Sequence, residues 1–592
     1  MPADDTTLDL STITDKNIGQ VVSVNLFNTH PEYNKMLPIW TRNRDAVEGE
    51  DAIKARGTTY LPKPNGQKNS EYLKYLQRAQ YFNGSGRTLS AYEGMIFRKN
   101  PIYNYKSKDE KDPLSAEAGP EAQKKKDTYN AFFENITCDG KSANQFLREI
   151  VKEVMAVNKV GVLIDFPVLS DKAGVVPVMS KKEYEARKLH PVASLYKAES
   201  IKNWSWELID TNVVPRVIVL QEKTDGRASY ATLSSAYTDS YRYRVLLLED
   251  YVNERGESTY RYKQIIFESS DANSYKVASV IYPIANGEYI NHIPFYILTD
   301  IGLDYRANVK SMISDLVTTN IGHFINSADW ENELHWVGIK TLYLPGWNLQ
   351  VNGQPRLGGA MAGPRDTVPQ LIEASSDSGI KDEMQRKEER MAVLGAERIS
   401  QQGRYIASKE TARINAQSES ATLSSMSSSL SESMSDVFSF LLDWAGFKDV
   451  NVSVDINKDF YEDDLSGEEL LKWIESVQNG GASFEMYYFN MDKKEAFPPD
   501  WSMDKERAAL EKANANTLGL GDEKAADLQA QLDEVLAGLA ALGIKIINPE
   551  DDSDVKEEVE EADIEPKDKQ ALNDEPKKVV KAKKVVKLNK DK

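Results

Sequence analysis

Gly140-Lys141-Ser142, in "CDGKSAN", is the ending of a loop that cradles phosphate, in which backbone amides curl around the anion and the lysine reaches its outer oxygens. That loop needs a glycine five positions before Gly140, and Asn135 stands there. The triplet therefore reads as the turn before a helix at Ala143. The glycine-rich "GGAMAGP" neither follows a clear buried strand nor opens a helix, as a dinucleotide site requires, and reads as a loop. The histidines are His30, His190, His292, His323 and His335; they form no HExxH pair and have no cysteine partners, so zinc chemistry is not indicated. The acids of "YEDDLSGEELL" suggest metal or paired-carboxylate chemistry, but Ser466 followed by Glu469 just before Leu470 and Leu471 is a capping box at a helix start. No nucleophile, base and anion hole come together. The residues predict a protein without catalytic residues, metal or cofactor.

The elements around these residues are long helices and a β-rich block. Helical segments are expected at "PEYNKMLPIWTRNRDAVE" and "SEYLKYLQRAQYFNGSGRTLSAYEGMIFRK", the latter punctuated by Gly84 and Gly86. The charge, proline and glycine of Ser107 to Asp127 predict a solvated loop. A helix from Ala143 to Val157 leads into "VGVLIDFPV", read as a buried strand. From Trp204 to Thr299 the period is two, with Tyr241, Tyr243, Val245 and Leu247 alternating against Arg242 and Arg244, and a turn at Asn253 to Gly256.

Helical periodicity returns with Val309, Met312, Ile313, Leu316, Val317, Ile321, Phe324, Ile325 and Ala328. The stripe extends to about Trp336, roughly 40 Å of helix, with Gly338 as its stop. A small β module follows, carrying a Pro345-Gly346 turn and an Asn352-Gly353 hairpin signal. A charged helix spans Ser378 to Ile399. The loop Ser400 to Arg413, with Gly403 as a hinge candidate, precedes the serine-rich "ATLSSMSSSLSESMSDVFSFLLDWAG". There Leu423, Met426, Leu430, Met434, Val437, Leu441 and Trp444 form one helical stripe, so the serines either let neighbouring structure approach closely or form a solvated face. "VNVSVDI" alternates as a strand, a helical region reaches about Gly543, and an acidic then lysine-rich tail is too poor in apolar surface to fold alone.

The chain has 592 residues, enough for several domains, and one cysteine, Cys138, which fits a reducing cytoplasm. No apolar run is long enough for a membrane span, and the N-terminus lacks a secretory signal. A net charge of −19 argues against broad binding to nucleic acid through basic surface, but not against DNA that passes by.

The order of parts is similar to that of the portal proteins of tailed bacteriophages. "YLKYLQRAQYFNGSGRTLSAYEGMIFRKNP" resembles the N-terminal signature of one portal family through Tyr75, Arg78, Ala79, Phe82, Asn83, Arg87, Thr88, Gly94, Met95, Phe97, Arg98 and Pro101. "DLVTTNIGHFINSADWENELHWVGIKTLYLPG" resembles its central helix through Asn320, Ile321, His323, Ser327, Ala328, Asp329, Leu334, His335 and Gly338, and "EERMAVLGAERI" and the serine-rich helix continue the match. The likeness covers about residues 32–489.

It implies an α+β portal fold. Residues 1–307 would be the N-terminal wing, 308–338 the first stem helix, 339–376 the clip, 377–399 the second stem helix and 400–413 the tunnel loop. Residues 414–464 would complete the wing, 465–549 the crown and 550–592 a tail. The subunits would form a dodecameric ring around an axial DNA channel. Implied channel residues are Gly403, Arg404, Tyr405 and Lys409 of the tunnel loop, with Arg404 and Lys409 otherwise pairing with Glu397 and Glu410, and Glu383, Arg386, Lys387 and Glu389 of the stem. Trp347, Asn352, Gly353 and Arg356 of the clip would bind a partner. The implied partners are further copies of the chain, double-stranded DNA in transit, the terminase large subunit, the head-to-tail adaptor, and major capsid and scaffolding proteins. The location would be the capsid portal vertex, after assembly in the host cytoplasm; the ATPase would belong to the motor. The alternatives are another virion structural protein, such as an adaptor or tail component, and a metal-dependent nucleic-acid enzyme.

Overall fold

The computed structural model describes residues 10–22, 28–108, 120–167, 189–225, 239–253, 255–271, 274–304, 308–345, 360–363, 366, 368–372, 378–396, 409–448, 450–458, 460, 467–479, 481, 483–493, 506 and 509. Two units divide at Glu462 and Asp463. Helices and strands are mixed in α+β fashion.

The first unit opens with helices α1 (Pro31–Glu48), α2 (Glu50–Ala55), α3 (Asn69–Arg78) and α4 (Gly84–Ile96), then strand β2 (Ile102–Ser107), β1 being the short Val21–Val22. Proline at the first position starts α1, and His30 Nδ1 accepts from Glu32 N at 3.2 Å. The helical segment expected from Ser70, punctuated by Gly84 and Gly86, breaks at residues 79–83, just before those glycines, because Asn83 caps a new helix by accepting from Gly86 N.

The loop expected over Ser107 to Asp127 is corrected in its second half: α5 (Pro120–Phe133) begins there. Proline and charge at the first helical turn are a start signal, and Ala122, Tyr129 and Phe133 supply the buried face. The phosphate-loop fragment is structural. Gly140 turns at φ +81°, and Ser142 and Gln145 form a capping box that starts α6 (Ala143–Val157).

Strands β3 (Val160–Asp165), β4 (Val192–Lys197), β12 (Phe295–Thr299) and β13 (Gly302–Leu303) form an antiparallel sheet in the order β13-β12-β3-β4. A six-stranded sheet has the order β1-β9-β8-β7-β6-β5, built from β5 (Ile201–Ile209), β6 (Asn212–Asp225), β7 (Asp239–Val252), β8 (Ser258–Asp271) and β9 (Ser274–Ile281). The expected turn between β7 and β8 is present, with Gly256 at φ +80° and its N–H donating to Asn253 O. A hairpin of β10 (Ile284–Ala285) and β11 (Glu288–Tyr289) turns on Asn286 and Gly287, both at positive φ, an Asn-Gly signal that the sequence reading passed over.

The central helix α7 spans Ser314–Gly338, starting later than the expected residue 308. Buried Asn43 holds its approach, donating to Ala156 O, Ser311 Oγ and Ser314 Oγ at 3.0–3.1 Å. The β module contains β14 (Thr341–Pro345), β15 (Ala360–Gly363) and β16 (Gln370–Ile372). Strand β14 pairs antiparallel with β16 but parallel with β15. The expected Asn352-Gly353 hairpin lies outside the described residues. The second charged helix, α8 (Ser378–Met391), ends in a π turn, Ala392–Ala396, instead of running on as α-helix.

Helix α9 spans Lys409–Trp444, so residues 409–413, expected in a loop, are helical. It ends with Gly446 at φ +93°. The serines of this helix dock a strand. β17 (Val450–Asp455) pairs with β2 along one edge, which leaves its alternate N–H groups facing α9. Ser431 Oγ accepts from Ile456 N at 3.0 Å, Ser435 Oγ from Val454 N at 2.9 Å and Ser439 Oγ from Val452 N at 3.1 Å. Four helical residues rise about 6 Å and two strand residues about 6.6 Å, so serines at i, i+4 and i+8 keep step with every second strand amide. Ser431 and Ser435 also donate to the carbonyls of Ser427 and Ser431. On another face Gly302 comes so close that a Cβ there would lie 2.8 Å from Ser433 Oγ. Of the two readings of the serines, close approach by neighbouring structure is the one realised.

In the second unit, α10 (Gly467–Gln478) begins directly after Ser466, where the capping box was expected, and α11 (Phe484–Lys493) follows. Among the described residues no helix is long and apolar enough to cross a membrane.

Candidate stem and its helical cradle

Beyond Ser314 at its start, helix α7 buries a narrow stripe: Leu316, Val317, Asn320, His323, Phe324, Ser327 and Ala328. The spacing is helical, but three members are polar, and each answers a specific partner. Asn320, fully buried, accepts at Oδ1 from Gly84 N and Ser85 N at 3.0 and 3.1 Å and donates from Nδ2 to Phe82 O at 2.9 Å. Ser327 Oγ accepts from Gln80 N at 3.0 Å. Further along, Tyr75 Oη donates to Asp329 Oδ1 at 2.6 Å and Arg78 Nη1 to Asn332 Oδ1 at 3.2 Å.

The segment from α3 into α4 thus forms a cradle, running antiparallel to α7 from Tyr75 opposite Asp329 to Gly84 opposite Asn320. The interruption between α3 and α4 leaves amides and carbonyls without helical partners, and α7 supplies them. The two stretches that carry the portal resemblance are therefore one packed unit. Sequence reasoning missed Gln80 and Asn332 as members. Asn320, His323 and Ser327, polar residues three or four apart within an apolar stripe, were the available signal.

The second helix joins on the other side. His323 Nε2 donates to Glu388 Oε1 at 3.1 Å, and Lys387 Nζ donates to Gly322 O at 3.0 Å. At Gly322 a Cβ would be in ordinary contact with the ammonium, 3.4 Å away, so the approach does not depend on glycine. Gly84 touches both helices: a Cβ on it would lie 3.0 Å from Asn320 Oδ1 and 3.2 Å from Met391 Sδ. Pairing of 323 with 388, and of 320 and 391 with one glycine, runs α7 and α8 antiparallel.

Of the stem residues assigned from the resemblance, Glu383 and Lys387 are half-buried and Arg386 and Glu389 exposed. Arg386 lies 3.6 Å from Glu383, an exposed pair contributing little to stability. Glu389 accepts from Gln385 Nε2 at 3.1 Å. Lys387 faces α7, its ammonium held by Gly322 O. Gly403, Arg404 and Tyr405, and Trp347, Asn352, Gly353 and Arg356, lie outside the described residues; Lys409 is described only as the first residue of α9.

His323 carries a pH dependence. Burial pushes its imidazole below the ordinary 6.5; Glu388 pulls the other way and Lys387 adds to the fall. Nδ1 is buried with no partner, so a proton added there meets no acceptor. The folded chain binds this proton more weakly than the unfolded chain. The stability of the neutral form is complete above about 6.5 and is lost as pH falls through the folded value. Thermal unfolding of the native chain and of His323→Gln at stepped pH is expected to show the native advantage shrinking below about pH 6.5. A constant difference would contradict this assignment.

Elsewhere in the first unit, a cavity of about 1190 Å³ borders a buried charge network on β3, β6 and β7. Arg244 binds Asp165 at 2.9 Å and Glu222 at 2.6 Å, and Tyr196 donates to Glu222 at 2.6 Å. Burial pushes the Asp165 carboxyl up despite Arg244, whereas Glu222, though buried, is held below its ordinary range by Arg244 and Tyr196. These carboxylates are held by neighbouring side chains, as in a structural network. Among the described residues no group of three or more His, Cys, Asp or Glu could hold a metal ion.

The family model described as a domain of unknown function, DUF4055, matches residues 312–445, from the start of α7 to the end of α9. No curated protein matches the chain. Among solved structures, the chain is similar to one in the neck of an empty GTA particle computed with C6 symmetry, at 8% identity over 76% of this chain and 96% of that one, with a TM-score of 0.30. It is also similar to a chain in the virion of a native gene transfer agent particle, at 10% identity over 74% and 96%, TM-score 0.29. A chain in the neck of a native GTA particle computed with C12 symmetry is similar at 7% identity over 73% and 95%, TM-score 0.27.

Proposed function

We propose that the chain is the portal subunit of a tailed bacteriophage, a non-enzymatic protein of the head-to-tail connector. It forms a dodecameric ring at one capsid vertex through which double-stranded DNA is packaged and ejected. The observation that carries this reading is the antiparallel α7 and α8 pair, with a small sheet between its helices in the chain and a cradle from the N-terminal helices gripping it. Such a unit holds two long helices at fixed pitch to one domain while leaving β14, β15 and β16 as a separate contact surface. In the ring, α7 and α8 form the stem, the small sheet the clip, and the loop assigned to residues 400–413, whose last residues open α9, the tunnel loop with Arg404 toward DNA. The terminase large subunit and the head-to-tail adaptor dock on the clip side, and capsid and scaffolding proteins meet the wing. An acidic chain suits a conduit, because a wall neutralising many phosphates would hold DNA in place.

Repeated heterologous contacts close into rings when the rotation permits. Native mass spectrometry of the purified chain is expected to show a closed assembly, predominantly of twelve copies, without added cofactor. Monomers and dimers alone across protein concentrations and salts would contradict the proposal.

A further inference from the structure

On α6 every charged residue but one has a partner: Arg148 lies over the Phe97 ring, Glu149 binds Lys141 and Glu153 binds Arg44. The exception is Lys152, exposed on the rim of a cleft of about 460 Å³. Facing the same cleft is Arg87 of α4, also exposed, whose guanidinium lies 5.6 Å from the centre of the Phe82 ring. Among the described residues neither cation forms an ion pair, and no carboxylate lines the cleft. Its other walls are Val47, Asn83, Gly86, Leu89 and Ser90. Gly86 brings α4 close to α1, since a Cβ there would lie 2.7 Å from Val47 O. Two cations over a partly apolar floor form a site incomplete within one chain.

We infer that this cleft receives an acidic side chain from a second copy of the chain, and that Arg87 and Lys152 form a charged contact between neighbouring subunits. The inference rests on the ring reading above. Charge supports a second copy as occupant: 92 acidic residues against 73 basic ones make a neighbouring copy rich in carboxylates. The apolar walls of Val47 and Leu89 suit a carboxylate carried on an aliphatic stem better than a fully hydrated phosphodiester. Opposite charges across an interface also steer encounter and fix register.

The test uses the full chain, with Arg87→Glu combined with Lys152→Glu, and Arg87→Lys combined with Lys152→Arg as the conservative control. Assembly is followed by sedimentation against protein concentration at low and high salt. The charge reversal is expected to raise the concentration of half-assembly by about tenfold or more at low salt, a gap that narrows at high salt. The control should assemble like the native chain. Thermal unfolding below the assembly range should match for all three, because both residues are exposed. Native-like assembly of the charge-reversed chain would overturn the inference while leaving the ring reading intact. So would native-like assembly combined with lost binding to a DNA duplex, which would make the cleft a phosphate site. A native chain that stays monomeric throughout would overturn the ring reading and this inference with it.

Discussion

Replacing Ser431 by alanine is expected to destabilise the chain by about 1–3 kcal/mol, and replacing Ser431, Ser435 and Ser439 together by about 3 kcal/mol or more. The sign is the test. Alanine is the better helix former by up to about 0.7 kcal/mol per position, so helix propensity alone makes these substitutions stabilising. Loss of a methylene-sized volume is not at issue, since serine and alanine differ by one hydroxyl. That hydroxyl accepts the N–H of Ile456, Val454 or Val452 on a strand whose side chains Val450, Val452, Val454 and Ile456 are buried. Without the serines, these amides face alanine methyl groups. The three sites share one ladder, so their effects need not add. Denaturant titration of the three single variants and the triple variant measures this. Equal or greater stability of the triple variant would remove the ladder as the reason for the serines.

Gly395→Ala is expected to cost about 3 kcal/mol, combining backbone strain and overpacking, each about 1–3 kcal/mol. The residue sits in the π turn after α8 at φ +149°, outside the range of an ordinary side chain. A Cβ there would lie 2.7 Å from Tyr92 Oη and 2.9 Å from Thr88 Cγ2, both on α4. The same turn that ends α8 therefore rests on the cradle that holds α7, and the damage should reach the docking of both helices. The check is the midpoint of chemical unfolding, with limited proteolysis of α8 as a local readout. Gly395→Ala combined with Tyr92→Phe removes the nearest oxygen and should recover part of the loss. A Gly395→Ala chain as stable as the native one would mean that the turn is not fixed against α4.

Legibility followed the range of the forces involved. α1 and α6 were readable to the residue because their start signals are local: Pro31 with His30, and Ser142 with Gln145. The start of α5 was misread because Pro120 and the nearby lysines look like loop chemistry until Tyr129 and Phe133 bury one face. The parallel pairing of β14 with β15 was not legible, because it joins strands separated in the chain and no local turn signal specifies which strand lies alongside. The serine ladder was visible only as an excess of serine, since its partners are strand amides about twenty residues on in the chain and the matching of rises is three-dimensional. The cradle was half legible. Tyr75, Phe82, Asn320 and Asp329 were singled out by resemblance, but their mutual contacts, 238 and 254 residues apart in sequence, belong to the fold. The π turn at Gly395 gave no sign in a charged helical period.

Single-particle imaging of the purified full chain tests the central claim most directly. The account predicts closed rings with a central hole wide enough for a DNA duplex, about twelve-fold in top views, with paired α7 and α8 helices forming a narrow stem below a broader wing. Solid particles without a hole, or open filaments, would contradict it.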